Sequence, residues 1–192
     1  TLAENTDNIA ASIGHIVAQG REALFDAEHF FDGYKSNPDY ALEAIRAAYD
    51  AGARWIVLCD TNGGTLPTEV GRITAEVIAA GISGDRLGIH THDDTENAVA
   101  CTLAAIDAGA RQIQGTLNGL GERCGNANLT TLIPILKLKE PYASLYETGV
   151  SDAALQDLTR TSRMLDEILN RVPLRQAGFV GASAFAHKAG LH

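Results

Sequence analysis

The chain has 192 residues, 45% of them hydrophobic and 20% charged, with a net charge of −9 at neutral pH. That length supports one domain with a substantial core, and the acidic balance argues against nucleic acid, whose phosphates would meet like charge. No apolar run approaches the roughly 20 residues of a membrane helix, and no signal peptide is legible, so neither a membrane nor a secretory route is expected. Cys59, Cys101 and Cys124 are odd in number and widely spaced, which suits a reducing cytoplasm better than a disulfide framework. Opening on Thr1 and stopping on His192, the sequence is expected to be a piece of a longer one.

Ile9, Ile13, Ile16 and Val17 recur at helical spacing, with Gly20 as the stop. "EALFDAEHF" (22–30) then begins as a short apolar strand. Asn37 and Pro38 start a second helix, proline suiting the first helical position, and Leu42, Ile45, Ala48 and Tyr49 share one side of it before Gly52. "WIVLCD" (55–60) is a continuous apolar run, as a strand buried on both faces requires. Pro67 opens a helix with Val70, Ile73, Val77 and Ile78 in register, closed by Gly81. A strand starting on Leu87 and Ile89 follows, then a helix through Val99, Leu103 and Ile106 to Gly109, then a strand in "RQIQGTL" (111–117). The stretch "DAGAR" recurs at 50–54 and 107–111, each time where a helix hands over to a strand. After Leu129 come one more helix, a connector, and a long amphipathic helix capped by Ser151 and carrying Leu155, Leu158, Leu165, Ile168 and Leu169.

Alternating strands and helices imply an α/β fold with a parallel sheet. Four such units fall short of the eight in a TIM (β/α)8 barrel, which takes about 250 residues. A partial barrel is therefore expected over 1–140, with a helical subdomain over 141–192; a self-contained flavodoxin-like sheet is the alternative.

Parallel α/β folds put their chemistry at the C-terminal ends of strands. Each strand here ends in polar residues: Asp26 and Glu28; Asp60, Thr61 and Asn62; His90, His92, Asp93 and Asp94; and the loop "NGLGERCGNAN" (118–128) with Glu122, Arg123 and Asn126. His90 and His92 stand one residue apart on a strand and so face the same way. Two neutral imidazoles on one face suit a divalent metal; histidines hydrogen-bonded at a strand end are the plainer reading. Glu28, after an apolar strand, reads as a partly buried carboxylate able to move protons, or as a salt-bridged rim residue. Thr61 alternatively caps the turn in "DTNGG", Glu122 and Arg123 alternatively form one loop-bracing ion pair, and Cys124 reads as a small packed residue. Asp93 and Asp94 favour the start of the next helix.

"HTHDD" followed by "NGLGERCGNANL" resembles the metal-dependent Claisen-condensing synthases that make 2-isopropylmalate, homocitrate and citramalate. "FDAEHFFDGY", "CDTNGGTLP" and "SAFAHKAGLH" add most to the similarity with the citramalate branch. The resemblance covers almost the whole chain. It implies strands five to eight of a (β/α)8 barrel and the start of a helical linker subdomain. It further implies a divalent metal (zinc, manganese or magnesium) on His90, His92 and Asn126, with an aspartate from a first strand that this sequence does not contain. Glu28 and His192 would be the proton-transfer groups, Thr61 a substrate contact, and the intact enzyme a homodimer whose His192 reaches the partner's site. The substrates implied are acetyl-CoA and a small 2-oxo acid, pyruvate foremost, with Phe30, Phe31 and Tyr34 narrowing the oxo-acid pocket. Glu96 departs from the family pattern, which has glycine there. A carbon–carbon lyase of the 3-hydroxy-3-methylglutaryl-CoA type and an inactive fragment that binds only metal or a partner chain are the rivals. The isolated chain is expected to be inactive without its other half.

Overall fold

The computed structural model describes residues 1–187. It begins with α1 (Leu2–Ala18), β1 (Leu24–Ala27), α2 (Phe30–Ser36), α3 (Pro38–Asp50), β2 (Trp55–Asp60) and α4 (Pro67–Ala79). It continues with β3 (Leu87–Thr91), α5 (Ala98–Ala108), β4 (Gln112–Gln114), α6 (Leu129–Leu138), α7 (Tyr142–Leu145), α8 (Asp152–Gln156) and α9 (Leu158–Ile168). Two compact units result. The first holds Thr1–Gly115 and Gly121–Ala127, and so the whole sheet; the second holds Thr116–Leu120 and the chain from Asn128 onward.

Local chemistry accounts for the helix starts. Thr1 and Glu4 form a capping box on α1, and Asn37 accepts from the Tyr40 amide at the head of α3 with Pro38 behind it. Two elements differ from the sequence reading. The run 22–30 is not one strand: it stops at Ala27, and His29 turns the backbone left-handed (φ 56°) into the short helix α2. The expected long helix after Ser151 is likewise two, divided at Asp157, a turn residue whose backbone stays right-handed (φ −80°, ψ −5°) before α9 begins.

The sheet is four-stranded and all-parallel, in the order β1-β2-β3-β4. Its register aligns Asp26 with Val57, Val57 with Gly88 and Gly88 with Gln112, and two residues further Cys59 with His90 and His90 with Gln114. Because side chains alternate, the sheet has two distinct faces. Ile56, Leu58, Leu87 and Ile89, all fully buried, pack against the helices together with Ile45, Ile73 and Val77. The opposite face carries Asp26, Cys59, His90, Gln112 and Gln114. Gly88 leaves room there for the Gln112 side chain, whose oxygen would lie 2.1 Å from a Cβ at that position and would have to swing aside.

That polar face is concave. Strands β1 and β4 are three positions apart, roughly 14 Å in a flat sheet. Yet the Gln114 amide nitrogen donates to Asp26 Oδ1 at 2.9 Å, which a flat sheet would not allow. Among the described residues no helix is long and apolar enough to cross a membrane.

Leu58, on a central strand and fully buried, reports on this core. In the full-length protein Leu58→Ala is expected to lower the unfolding free energy by about 3 kcal/mol in urea denaturation, while Leu66→Ala, 54% exposed, changes it by less than about 0.5 kcal/mol.

Candidate active site

The alternation that builds the core side of β3 also builds the site. Thr91 points to the helices, where its hydroxyl donates to the Ala98 carbonyl and meets Thr102 Oγ1. His90 and His92 therefore point the other way, into the concavity. The strand end is held on both sides: the His92 amide donates to the Asp60 carbonyl at 3.3 Å, Asp93 to Gly125 at 2.9 Å, and Ala127 to Thr91 at 3.0 Å. The 121–127 loop thereby folds back beside β3, and His92 and Asn126 form a bridge.

Three side chains converge as a result. His90 Nε2 and His92 Nε2 lie 3.3 Å apart, and the Asn126 amide nitrogen is 3.1 Å from the first and 3.5 Å from the second. Asn126 is buried, and Gly121 makes room for it: a Cβ at Gly121 would stand 1.7 Å from Asn126 Oδ1. His90 Nδ1 lies 2.7 Å from Gln114 Oε1, while its Nε2 faces the shared point. Burial above all, with the Arg123 charge adding, holds the His92 imidazole below its ordinary range and so neutral near pH 7. Its Nδ1 is buried without a hydrogen-bond partner. The donor set suits a divalent cation: two neutral imidazole nitrogens, and an amide that presents its oxygen once turned over. Among the described residues no group of three or more His, Cys, Asp or Glu side chains is placed to hold a metal. The convergence depends on the amide as third member.

Glu28 and Thr61 are joined. Thr61 Oγ1 accepts from the His29 amide at 2.7 Å and donates to Glu28 Oε2 at 2.7 Å. Glu28 is exposed, not partly buried as expected. The turn after β2 is braced by Asp60, which accepts from the Thr65 amide and hydroxyl, so Thr61 is free of that task. Arg123 does more than pair with its neighbour. It grips Asp94 through two nitrogens at 2.7 and 2.8 Å, reaches the Thr61 carbonyl at 2.7 Å, and stands 3.8 Å from Glu122. Asp93 alone caps α5, accepting from the Ala98 amide. Phe30 and Phe31 are buried in the core and Tyr34 donates to Glu76 at 2.9 Å, while Phe30 also lines a cavity beside Glu28 and His29. Cys124 is exposed, not packed. Glu96 has φ 57°, a left-handed backbone that explains a glycine in the family pattern. His192 lies outside the described residues.

Gln114 escaped the sequence reading. The alternation Gln112-Ile113-Gln114 in a half-buried strand is the available signal, since it puts two polar side chains on the inner face.

Residues 1–165 match the HMGL-like family, and the chain belongs to it. The chain is 51% identical over its whole length to an (R)-citramalate synthase from Synechocystis, and spans 35% of that protein. It is 34% identical to a 2-isopropylmalate synthase from Photobacterium profundum, again over its whole length and 37% of the relative's. An HMG-CoA lyase from Acinetobacter baumannii, solved with coenzyme A and 3-methylmalate, superposes with a TM-score of 0.62 at 25% identity, covering 79% of this chain and 48% of the lyase.

The Arg123 guanidinium holds the Asp94 carboxyl below the usual carboxylate range. Stability from this contact is therefore present above the unfolded value of 3.8 and is lost as the pH falls through the folded value. Arg123→Met is expected to raise the Asp94 midpoint toward the ordinary carboxylate range, read by carboxyl carbon NMR; an unmoved midpoint would contradict the clamp.

Proposed function

We propose that this chain supplies strands five to eight of a (β/α)8 catalytic barrel (1–140) and the start of a helical linker subdomain (141–192). The protein carrying it joins acetyl-CoA to pyruvate, giving (R)-citramalate. The observation that carries this reading is the meeting of His90, His92 and Asn126 at the C-terminal ends of parallel strands. The 51% identity to a citramalate synthase against 34% to a 2-isopropylmalate synthase supports pyruvate as the oxo acid, and the lyase solved with coenzyme A supports a CoA thioester as the other substrate. Free Cys59, Cys101 and Cys124 support a reducing cytoplasm, and the family resemblance a homodimer.

His90 Nε2, His92 Nε2 and the Asn126 amide oxygen would hold the cation: zinc, manganese or magnesium. When bound, it supplies Lewis acidity at the keto group of the oxo acid. The work of the chain itself is orientation and proton transfer. Thr61 Oγ1 fixes one oxygen of Glu28, so that the carboxylate is aimed rather than free to rotate. Glu28, with His192 as the second group, takes the methyl proton of acetyl-CoA; the enolate carbon then bonds to the keto carbon of pyruvate as the carbonyl π pair moves onto the keto oxygen, which takes up a proton to become the hydroxyl. Hydrolysis of the thioester then releases free CoA and makes the reaction irreversible. Thr61, beside Glu28, is placed to contact substrate at the same rim.

In the full-length enzyme His92→Ala is expected to cut turnover by more than about 100-fold, measured as thiol release from acetyl-CoA with pyruvate. Chelation should abolish wild-type turnover and a divalent metal restore it, with pyruvate preferred over bulkier 2-oxo acids. Full turnover by the His92→Ala variant, or by the chelated enzyme, would refute the proposal.

A further inference from the structure

We infer that Asp26 and Gln114 are positioning residues that set the tautomer of His90 and so ready its Nε2 for a cation; the metal-affinity part of this inference rests on the proposed site. The inference comes from a hydrogen-bond chain whose direction has one solution. Asp26 Oδ1 receives the Gln114 amide nitrogen at 2.9 Å, and Gln114 Oε1 lies 2.7 Å from His90 Nδ1. A carboxylate only accepts, so it takes the NH2 end of the Gln114 amide. The amide is thereby turned with its oxygen toward His90. An oxygen there accepts, so the proton of the neutral imidazole sits on Nδ1, and Nε2 keeps its lone pair.

The fold supplies the chain at a place where sequence proximity does not. Asp26 is on the first strand and Gln114 on the fourth, 88 residues apart, and they meet because the inner face is concave. Gln114 is aligned with His90 in the β3–β4 register, so its side chain stands beside the imidazole with no loop involved. The two histidines are treated differently: His90 Nδ1 is pinned, whereas His92 Nδ1 is buried with no partner. The chain therefore defines one ligand in advance of metal arrival, and that ligand is His90.

Outer partners of metal-bound histidine fix ring and tautomer, and their loss typically weakens metal binding by about 10- to 100-fold. Asp26 touches neither histidine, which makes it the sharper probe. An asparagine at 26 both donates and accepts, so Asp26→Asn frees the Gln114 amide to turn over, offering NH2 to His90 Nδ1 and moving the proton to Nε2. If both orientations are equally populated, the apparent dissociation constant doubles.

The test uses the metal-free full-length protein labelled with 15N-histidine, and zinc affinity by chelator competition. The expected wild-type signature is an Nδ1–H tautomer for His90. Asp26→Asn should shift it to a mixture, and Gln114→Leu should weaken zinc binding by about tenfold or more with thermal unfolding unchanged. A dominant Nε2–H tautomer in the wild type, or an unchanged tautomer in Asp26→Asn, would overturn the inference. Zinc affinity unaltered by Gln114→Leu would do the same. If the wild-type protein binds no divalent metal, the proposed function fails, and the tautomer comparison alone still decides for or against the chain.

Discussion

Side-chain alternation on a curved parallel sheet is the constraint from which the rest of this structure follows. On β3 the odd positions, Leu87, Ile89 and Thr91, are committed to the helices, so Gly88, His90 and His92 can only face inward. Neighbouring strands in register put Cys59 and Gln114 beside His90. Curvature then brings Asp26 across from the far strand, closing a polar surface that a flat sheet would leave open. Apolar burial on one face thus pays for polar convergence on the other, and the site needs no separate scaffold.

The loops above the strands are held by a second layer of contacts. Arg123, itself left-handed at φ 53°, ties the loop after β4 to Asp94 after β3 and to the Thr61 carbonyl after β2. Thr61 in turn fixes Glu28 after β1. All four strand ends are thereby connected through side chains. Close approach sets the small residues: a Cβ at Gly63 would stand 2.6 Å from Asp94 Oδ2, and Gly121 admits Asn126. Glu96 keeps a left-handed backbone without being glycine, at a cost of about 1 kcal/mol for a residue with a Cβ.

Much of this is legible in the sequence. "WIVLCD" could only be a doubly covered strand, Asn37-Pro38 and Pro67 marked helix starts, and His-x-His on a strand announced a shared face. What stayed hidden was of two kinds. Pairings between distant strand ends leave no local trace, so Asp94 rather than adjacent Glu122 takes the main grip of Arg123, and Asp26 meets Gln114. Short breaks inside apolar runs are equally silent: nothing in "FDAEHFF" distinguishes a strand running on from a left-handed turn at His29, and nothing after Ser151 marks the step at Asp157.

The claim at the centre is that two imidazoles from one strand and one amide from a neighbouring loop share a single cation. Zinc-edge X-ray absorption on the full-length protein loaded with one equivalent of zinc tests it most directly. A shared cation gives imidazole nitrogens at about 2.0–2.1 Å with the outer-shell scattering of two rings, one of which vanishes in a His90 or His92 variant. A coordination shell of oxygen alone, with no ring scattering, would contradict it.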